Sequence, residues 1–177
     1  MDWMLFWTAF GAIGGTLGAL ATFGAIVVAL WQTKYAYKKK LKLQFCDNVK
    51  IANNSGEIVI ELVSLEVTNI GNRDLILHRW GFQIDKHKEI QILSELPMNG
   101  IPSHISTAFI TKFPYKLEME HKVTLYYEKK LFVKLLPEHY NNKKALNKHL
   151  ECFVKDSTGR KYYVKSDKRI KEYMGNQ

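Results

Sequence analysis

From Trp3 to Gln32 the chain carries no charged side chain. Such a run exceeds the roughly 20 apolar residues that cross a hydrocarbon core of about 30 Å. Residues 1–33 are therefore expected to form a transmembrane helix, whatever the rest of the chain folds into. An export signal carries positive charge ahead of a shorter apolar segment, whereas here Asp2 is the only side-chain charge before the segment and the lysines come after it. Lys34, Lys38, Lys39, Lys40 and Lys42 crowd the residues just past the span. The positive-inside rule places that cluster in the cytoplasm and the N-terminus outside. Trp3, Trp7 and Trp31, with Tyr35 and Tyr37, stand where interfacial aromatic belts form, and Lys38, Lys39 and Lys40 complete the expected membrane interface. Residues 34–42 read as a basic juxtamembrane linker and residues 43–177 as one cytoplasmic domain, a length sufficient for its own core.

The span is built from small residues: 14 of the 22 positions from Thr8 to Ala29 are Gly, Ala or Thr. Thr8, Gly11, Gly15, Gly18, Thr22, Ala25 and Ala29 recur at alternating spacings of three and four, which is a heptad seam. In lipid, small side chains let helix backbones approach closely. A homo-oligomer of roughly three to five subunits is expected, with this seam at its axis or lining a pore; the same residues would suit a closed bundle equally well.

Past the linker the pattern changes from helical to extended. Leu41 to Ile51 alternates, Asn53-Asn54-Ser55-Gly56 reads as a turn, and Ile58 to Ile70 is rich in β-branched residues, together a hairpin. Asn69-Ile70-Gly71-Asn72 reads as a second turn, followed by a strand from Leu75 to Ile84 on which His78, Trp80 and Phe82 share a face. Further strands are expected over Glu89–Leu93, Ile105–Thr111 and Lys122–Glu128, with Pro97, Pro102 and Pro114 in the connections. Pro137 to Leu150 reads as a short helix or surface excursion with Pro at its first position. A final hairpin pairs Glu151–Lys155 with Lys161–Lys165 around Asp156-Ser157-Thr158-Gly159, and Ser166 or Asp167 would cap a terminal helix ending near Met174. About seven short strands spaced by turn residues predict a mainly β fold. The expected architecture is one N-terminal transmembrane helix, then an immunoglobulin-like antiparallel β-sandwich with a short helical excursion and a C-terminal helix.

No Walker loop, nucleophile elbow, H-E-x-x-H or C-x-x-C is present, so no enzyme, metal or cofactor is expected. His78, His87, His104, His121, His139 and His149 make no compact ligand spacing with Cys46 or Cys152. Both cysteines are expected to be buried thiols in a reducing compartment. The formal net charge is +9, and because the first 33 residues contribute only the −1 of Asp2, the remainder carries 9 + 1 = +10. That excess points to an anionic partner, although part of it serves the topology signal and lipid contact. The candidate ligand contacts are cations interleaved with aromatics: Arg73, Arg79 and Trp80; Tyr126, Tyr127, Lys129 and Lys130; Arg160, Lys161, Tyr162 and Tyr163. Single-stranded nucleic acids are held by such sets, cations on phosphates and rings on bases. Neighbours on a strand face opposite ways, however, so each aromatic competes for a place in the core, Trp80 above all.

Leu65-Glu66-Val67-Thr68-Asn69-Ile70-Gly71-Asn72-Arg73-Asp74 and Asp156-Ser157-Thr158-Gly159-Arg160, set behind a single helix, resemble the pattern of small bacterial proteins that join a membrane helix to a β-sandwich. Size, single helix and basic domain are similar to membrane effectors of anti-phage defence of the Hailong type. The resemblance implies a single-pass inner-membrane protein that conducts ions as an oligomer, held in check by a single-stranded DNA oligomer from a partner nucleotidyltransferase. It carries over no binding residue. The competing expectation is a membrane-tethered binding or scaffolding domain with no channel activity.

Overall fold

The computed structural model describes residues 3–52, 54–85, 88–93, 109–140 and 143–175, and the chain divides into two units, Met1–Lys38 and Lys39–Gln177. The first unit is one helix, α1 (Trp3–Ala36). At 1.5 Å per residue it is about 51 Å long, more than a hydrocarbon core requires. The window apolar enough to span a membrane lies within Phe6–Ala36, and none of it is buried. The helix runs through the first basic residue, Lys34, so the linker is shorter than its composition suggests: only Tyr37 to Lys40 separate α1 from the first strand.

The second unit is built from β1 (Leu41–Ala52), β2 (Ile58–Asn69), β3 (Leu75–Asp85), β4 (Lys88–Ile92), β5 (Tyr115–Leu117), β6 (Lys122–Glu128), α2 (Lys129–His139), α3 (Lys143–Leu146), β7 (His149–Asp156), β8 (Lys161–Arg169) and α4 (Ile170–Met174). One antiparallel sheet has the order β1-β2-β6; the other has the order β4-β3-β7-β8. With β5 joined to the second sheet through β3, the sheets hold three and five strands, in the order expected of an immunoglobulin-like sandwich. β5 pairs with the first residues of β3, Leu75 to Leu77, while β4 pairs with Trp80 to Asp85. The inner faces meet in one core: Val63, Leu65, Val67 and Leu125 from the first sheet, Leu77, Trp80, Phe82, Cys152 and Val154 from the second. Phe45, Phe82, Phe132 and Tyr173 join them in a chain of ring contacts 5.1 to 6.5 Å apart, so α2 and α4 close the core rather than decorate it.

Several expectations are corrected here. His78 does not share the face of Trp80 and Phe82: the pairing of β3 with β7 slips between Leu77 and Arg79, so Leu77 and Trp80 are both buried while His78 is exposed. The helical excursion starts at Lys129, not Pro137, which lies inside α2; Phe132 and Leu136, four residues apart, are its buried side. Neither Ser166 nor Asp167 caps a helix. β8 runs on to Arg169, and the buried Ser166 hydroxyl donates to the Lys168 carbonyl and accepts from Leu150 N–H, at the slip between His149 and Glu151. Cys46 is exposed, because it points outward from β1 while Leu43 and Phe45 pack inward; Cys152 is buried. Of the strand expected over Ile105–Thr111, residues 105–108 lie outside the described residues and Phe109 to Thr111 form no strand.

Candidate functional site

The six expected anion contacts do not form one cluster. Arg79 on β3 and Lys161 on β8 come together on the outer face of the second sheet, where both meet Glu89 of β4, Arg79 Nη2 at 3.8 Å and Lys161 Nζ in a short hydrogen bond. The hydrogen bond from Lys161 holds the Glu89 carboxyl below its ordinary range. Lys161 Nζ also lies 5.1 Å from the ring of Phe153. Phe153 alternates with the core residues Cys152 and Val154 and so faces outward, yet it is fully buried. Lys129 binds Glu61 at 3.1 Å, and Lys50 reaches the same carboxylate at 3.3 Å. Those two hydrogen bonds, Lys129 first, lower the Glu61 pKa. Lys130 is exposed beside it. Arg160 stands 5.3 Å from the Tyr162 ring, and Arg73 is exposed on the β2–β3 turn. Trp80 is core, as expected.

What the fold does assemble is a cleft of about 700 Å³ where the ends of β3 and β7 meet the helical segment, lined among others by Tyr140, Lys148, His149, Tyr163 and Lys165. Its size is in the range of small-molecule sites. The positions follow from strand pairing. Glu151 is opposite Lys165 and Phe153 opposite Tyr163, so Tyr163 and Lys165 alternate onto the outer face of β8. Lys165 binds Glu151 at 3.4 Å, an exposed pair that a stronger anion can compete for. His149 turns one ring nitrogen to the Ser166 carbonyl at 2.9 Å. Tyr140 donates its hydroxyl to the Gln83 carbonyl at 2.8 Å, and burial pushes its phenol well above the ordinary value. Tyr163 keeps 52% of its surface exposed. A half-exposed ring in a cleft that two lysines and an imidazole also line can stack on a base while cations meet phosphate. Of the residues lining this cleft the sequence pointed only to Tyr163, as an aromatic beside Arg160 and Lys161; Tyr140, Lys148, His149 and Lys165 were not among its candidates.

A smaller cleft of about 380 Å³ lies at the other end of these strands, against His78, Arg79, Lys155 and the β7–β8 turn. Here Asp156 is buried. Its Oδ1 accepts from Thr158 N–H at 2.8 Å, Thr158 Oγ1 at 2.6 Å and Arg160 N–H at 3.0 Å, and its Oδ2 lies 3.5 Å from Lys39 Nζ. Burial pushes this carboxyl up, but the hydrogen bonds and the Lys39 ammonium outweigh it, leaving the pKa below its ordinary value. Lys39 is thus tied into the domain. Among the described residues no group of three or more His, Cys, Asp or Glu could hold a metal ion. The Cys152 thiol is pushed up by complete burial, which makes it a poor nucleophile.

Along α1 the expected interface residues stand near its two ends. Trp3 stacks on Trp7 at 6.1 Å, Trp31 on Tyr35 at 5.8 Å, and Lys38 Nζ lies 5.9 Å from the Tyr35 ring. Thr8 and Thr22 return their hydroxyls to the carbonyls of Met4 and Gly18, so each of these two hydroxyls has an acceptor within the helix. A Cβ added at Gly11, Gly15 or Gly18 would meet nothing within 4 Å. No contact within the chain therefore requires glycine there, although each glycine costs a helix interior about 1 kcal/mol relative to alanine. No family model matches the chain, and no curated protein sequence matches it.

Proposed function

We propose that this protein is a homo-oligomeric, single-pass membrane effector of the bacterial inner membrane, whose cytoplasmic β-sandwich binds an anionic, oligonucleotide-like ligand and so sets the state of a bundle of α1 helices. The observation that carries the reading is the cleft lined by the half-exposed Tyr163 together with Lys148, His149 and Lys165, the last paired to Glu151 in the same lining. Two supports come from α1: glycines with no partner inside the chain, and hydroxyls satisfied along the seam of Thr8, Gly11, Gly15, Gly18, Thr22, Ala25 and Ala29. Ion conduction, a partner nucleotidyltransferase and a role in anti-phage defence rest on the resemblance of the sequence to Hailong-type effectors. Differential affinity of the ligand for the open and closed bundle would do the switching.

Full-length protein in liposomes provides the test. Lys148→Glu with Lys165→Glu should weaken binding of a single-stranded oligonucleotide about a hundredfold, and the slope of log affinity against log salt should fall by about 1.4 for the two lost phosphate contacts. Gly15→Leu should leave the domain folded while breaking the oligomer seen by light scattering and abolishing ion flux. Wild-type affinity in the double variant would remove the cleft from the reading; a monomeric wild type would remove the bundle. A membrane-tethered scaffold is the second reading. It is favoured by the pairing of Arg79, Lys129 and Lys161 with carboxylates, which spends much of the apparent positive charge within the domain. Absence of flux with and without oligonucleotide would select it.

A further inference from the structure

Asn69, fully buried at the end of β2, gathers two turns of the sandwich. Its side-chain amide donates to the carbonyls of Arg73, Leu117 and Glu118 at 2.8 to 3.3 Å, and its Oδ1 accepts from Gly71 N–H at 3.1 Å. Its backbone bonds to His121 and Glu120. Ile70, 44% exposed, and Met119, 49% exposed, stand on these two turns. Both are large apolar side chains offered to solvent at one end of the domain, and that end is where the chain arrives from α1. Ile70 N–H donates to the carbonyl of Lys40, four residues past Ala36, the last residue of the helix. Four extended residues reach at most about 14 Å, so covalent connectivity alone keeps Ile70 near the leaflet surface at which α1 ends.

We propose that this end of the domain is a second membrane contact, in which Ile70 and Met119 insert among the headgroups and exposed Lys40, Lys42 and Arg73 face anionic lipid. Carboxylates are present too. Lys116 bridges Asp74 at 2.9 Å and Glu118 at 3.5 Å, Lys122 meets Glu66 at 3.3 Å, and Glu120 lies on the same turn as Met119, so these groups sum to 2 − 4 = −2, against the +3 of Lys40, Lys42 and Arg73. The juxtamembrane cations then set the sign. A polybasic segment beside a span is drawn to an anionic leaflet within about a Debye length, and apolar side chains at its rim bury into the headgroup boundary. The large cleft lies at the opposite end of β3 and β7 and stays open to solvent, so docking and ligand binding are compatible. The inference rests on α1 crossing the membrane, not on the identity of the ligand.

Full-length protein carrying Cys46→Ser is reconstituted in vesicles of phosphatidylcholine and phosphatidylglycerol. A bimane label is placed in turn through Ile70→Cys, Met119→Cys, Val59→Cys and Leu17→Cys, and its quenching by doxyl lipids is measured. Val59 is exposed near the other end of β2, roughly 33 Å from Asn69 by strand rise. Quenching at 70 and 119 is expected to be about threefold that at 59, and Lys42→Glu with Arg73→Glu should lower it by about half. Quenching at 70 and 119 no greater than at 59, with the label at 17 quenched, overturns the second contact and leaves the anchor. An unquenched label at 17 overturns the membrane reading and this inference together.

Discussion

Gly81→Ala should destabilise the sandwich by about 3 kcal/mol, a fall in melting temperature of roughly 10 °C, although alanine is the smallest change a glycine can suffer. Gly81 lies in β3 opposite Gln91 of β4 and Phe153 of β7. A Cβ at this position would sit 1.9 Å from the Ile90 carbonyl oxygen and 2.9 Å from its carbon. Backbone cannot swing aside as a side chain can, so β4 must separate from β3 or the ladder must break. The damage spreads to the outer face, because Glu89, one residue before Ile90, is the carboxylate on which Arg79 and Lys161 converge. Thermal unfolding of the full-length protein, followed by near-ultraviolet circular dichroism of Trp80 and its neighbours, checks the result. A melting temperature within a degree or two of wild type would show that β4 is not held where the structure places it.

Asn69→Asp is expected to be worse than Asn69→Ala near neutral pH, by about 4 against about 2 kcal/mol, and to recover in acid. Alanine loses the four side-chain hydrogen bonds; aspartate also turns a carboxylate toward the carbonyls of Arg73, Leu117 and Glu118. A buried acid so placed has a folded-state pKa raised above its unfolded value near 3.9. The sign follows: the protonated form, which can again donate to a carbonyl, is favoured by folding, so the variant's deficit is smallest below the unfolded pKa and grows as pH rises through the folded one. Denaturant titration of both variants beside wild type at each pH measures this. A pH-independent gap between aspartate and alanine would contradict the arrangement of Asn69, and with it the joining of the two turns that carry Ile70 and Met119.

The long apolar helix could be read from the sequence because it depends on composition over a window rather than on any partner: 30 residues without charge are long and apolar enough to cross a membrane. Strands β1, β2, β3 and β6 and the last hairpin were legible for a similar reason, since alternation and turn residues are local signals. The core position of Trp80 followed from its size and apolarity alone. Lys129–His139 was not legible as a helix because it follows β6 without a break. Its buried residues, Phe132 and Leu136, make sense only against Phe82 and Tyr173, which other parts of the chain supply.

The tertiary structure alone decided the fate of the charges. Arg79, Lys129 and Lys161 look alike in sequence to Lys148 and Lys165, but strand pairing brings Glu89 to Arg79 and Lys161, Glu61 to Lys129, and Glu151 to Lys165. A slip of register between Leu77 and Arg79 turned His78 out and Trp80 in, a choice made by β7 and invisible in β3. The cleft of Tyr140, Lys148, His149, Tyr163 and Lys165 exists because β7 and β8 return beside the end of β3 and beneath the helical segment. Windows of sequence thus determined which segment is apolar enough to leave water and which segments extend. Which cations pair with which carboxylates was decided by contacts between separate segments, since an electrostatic interaction depends on separation in space and not on separation along the chain.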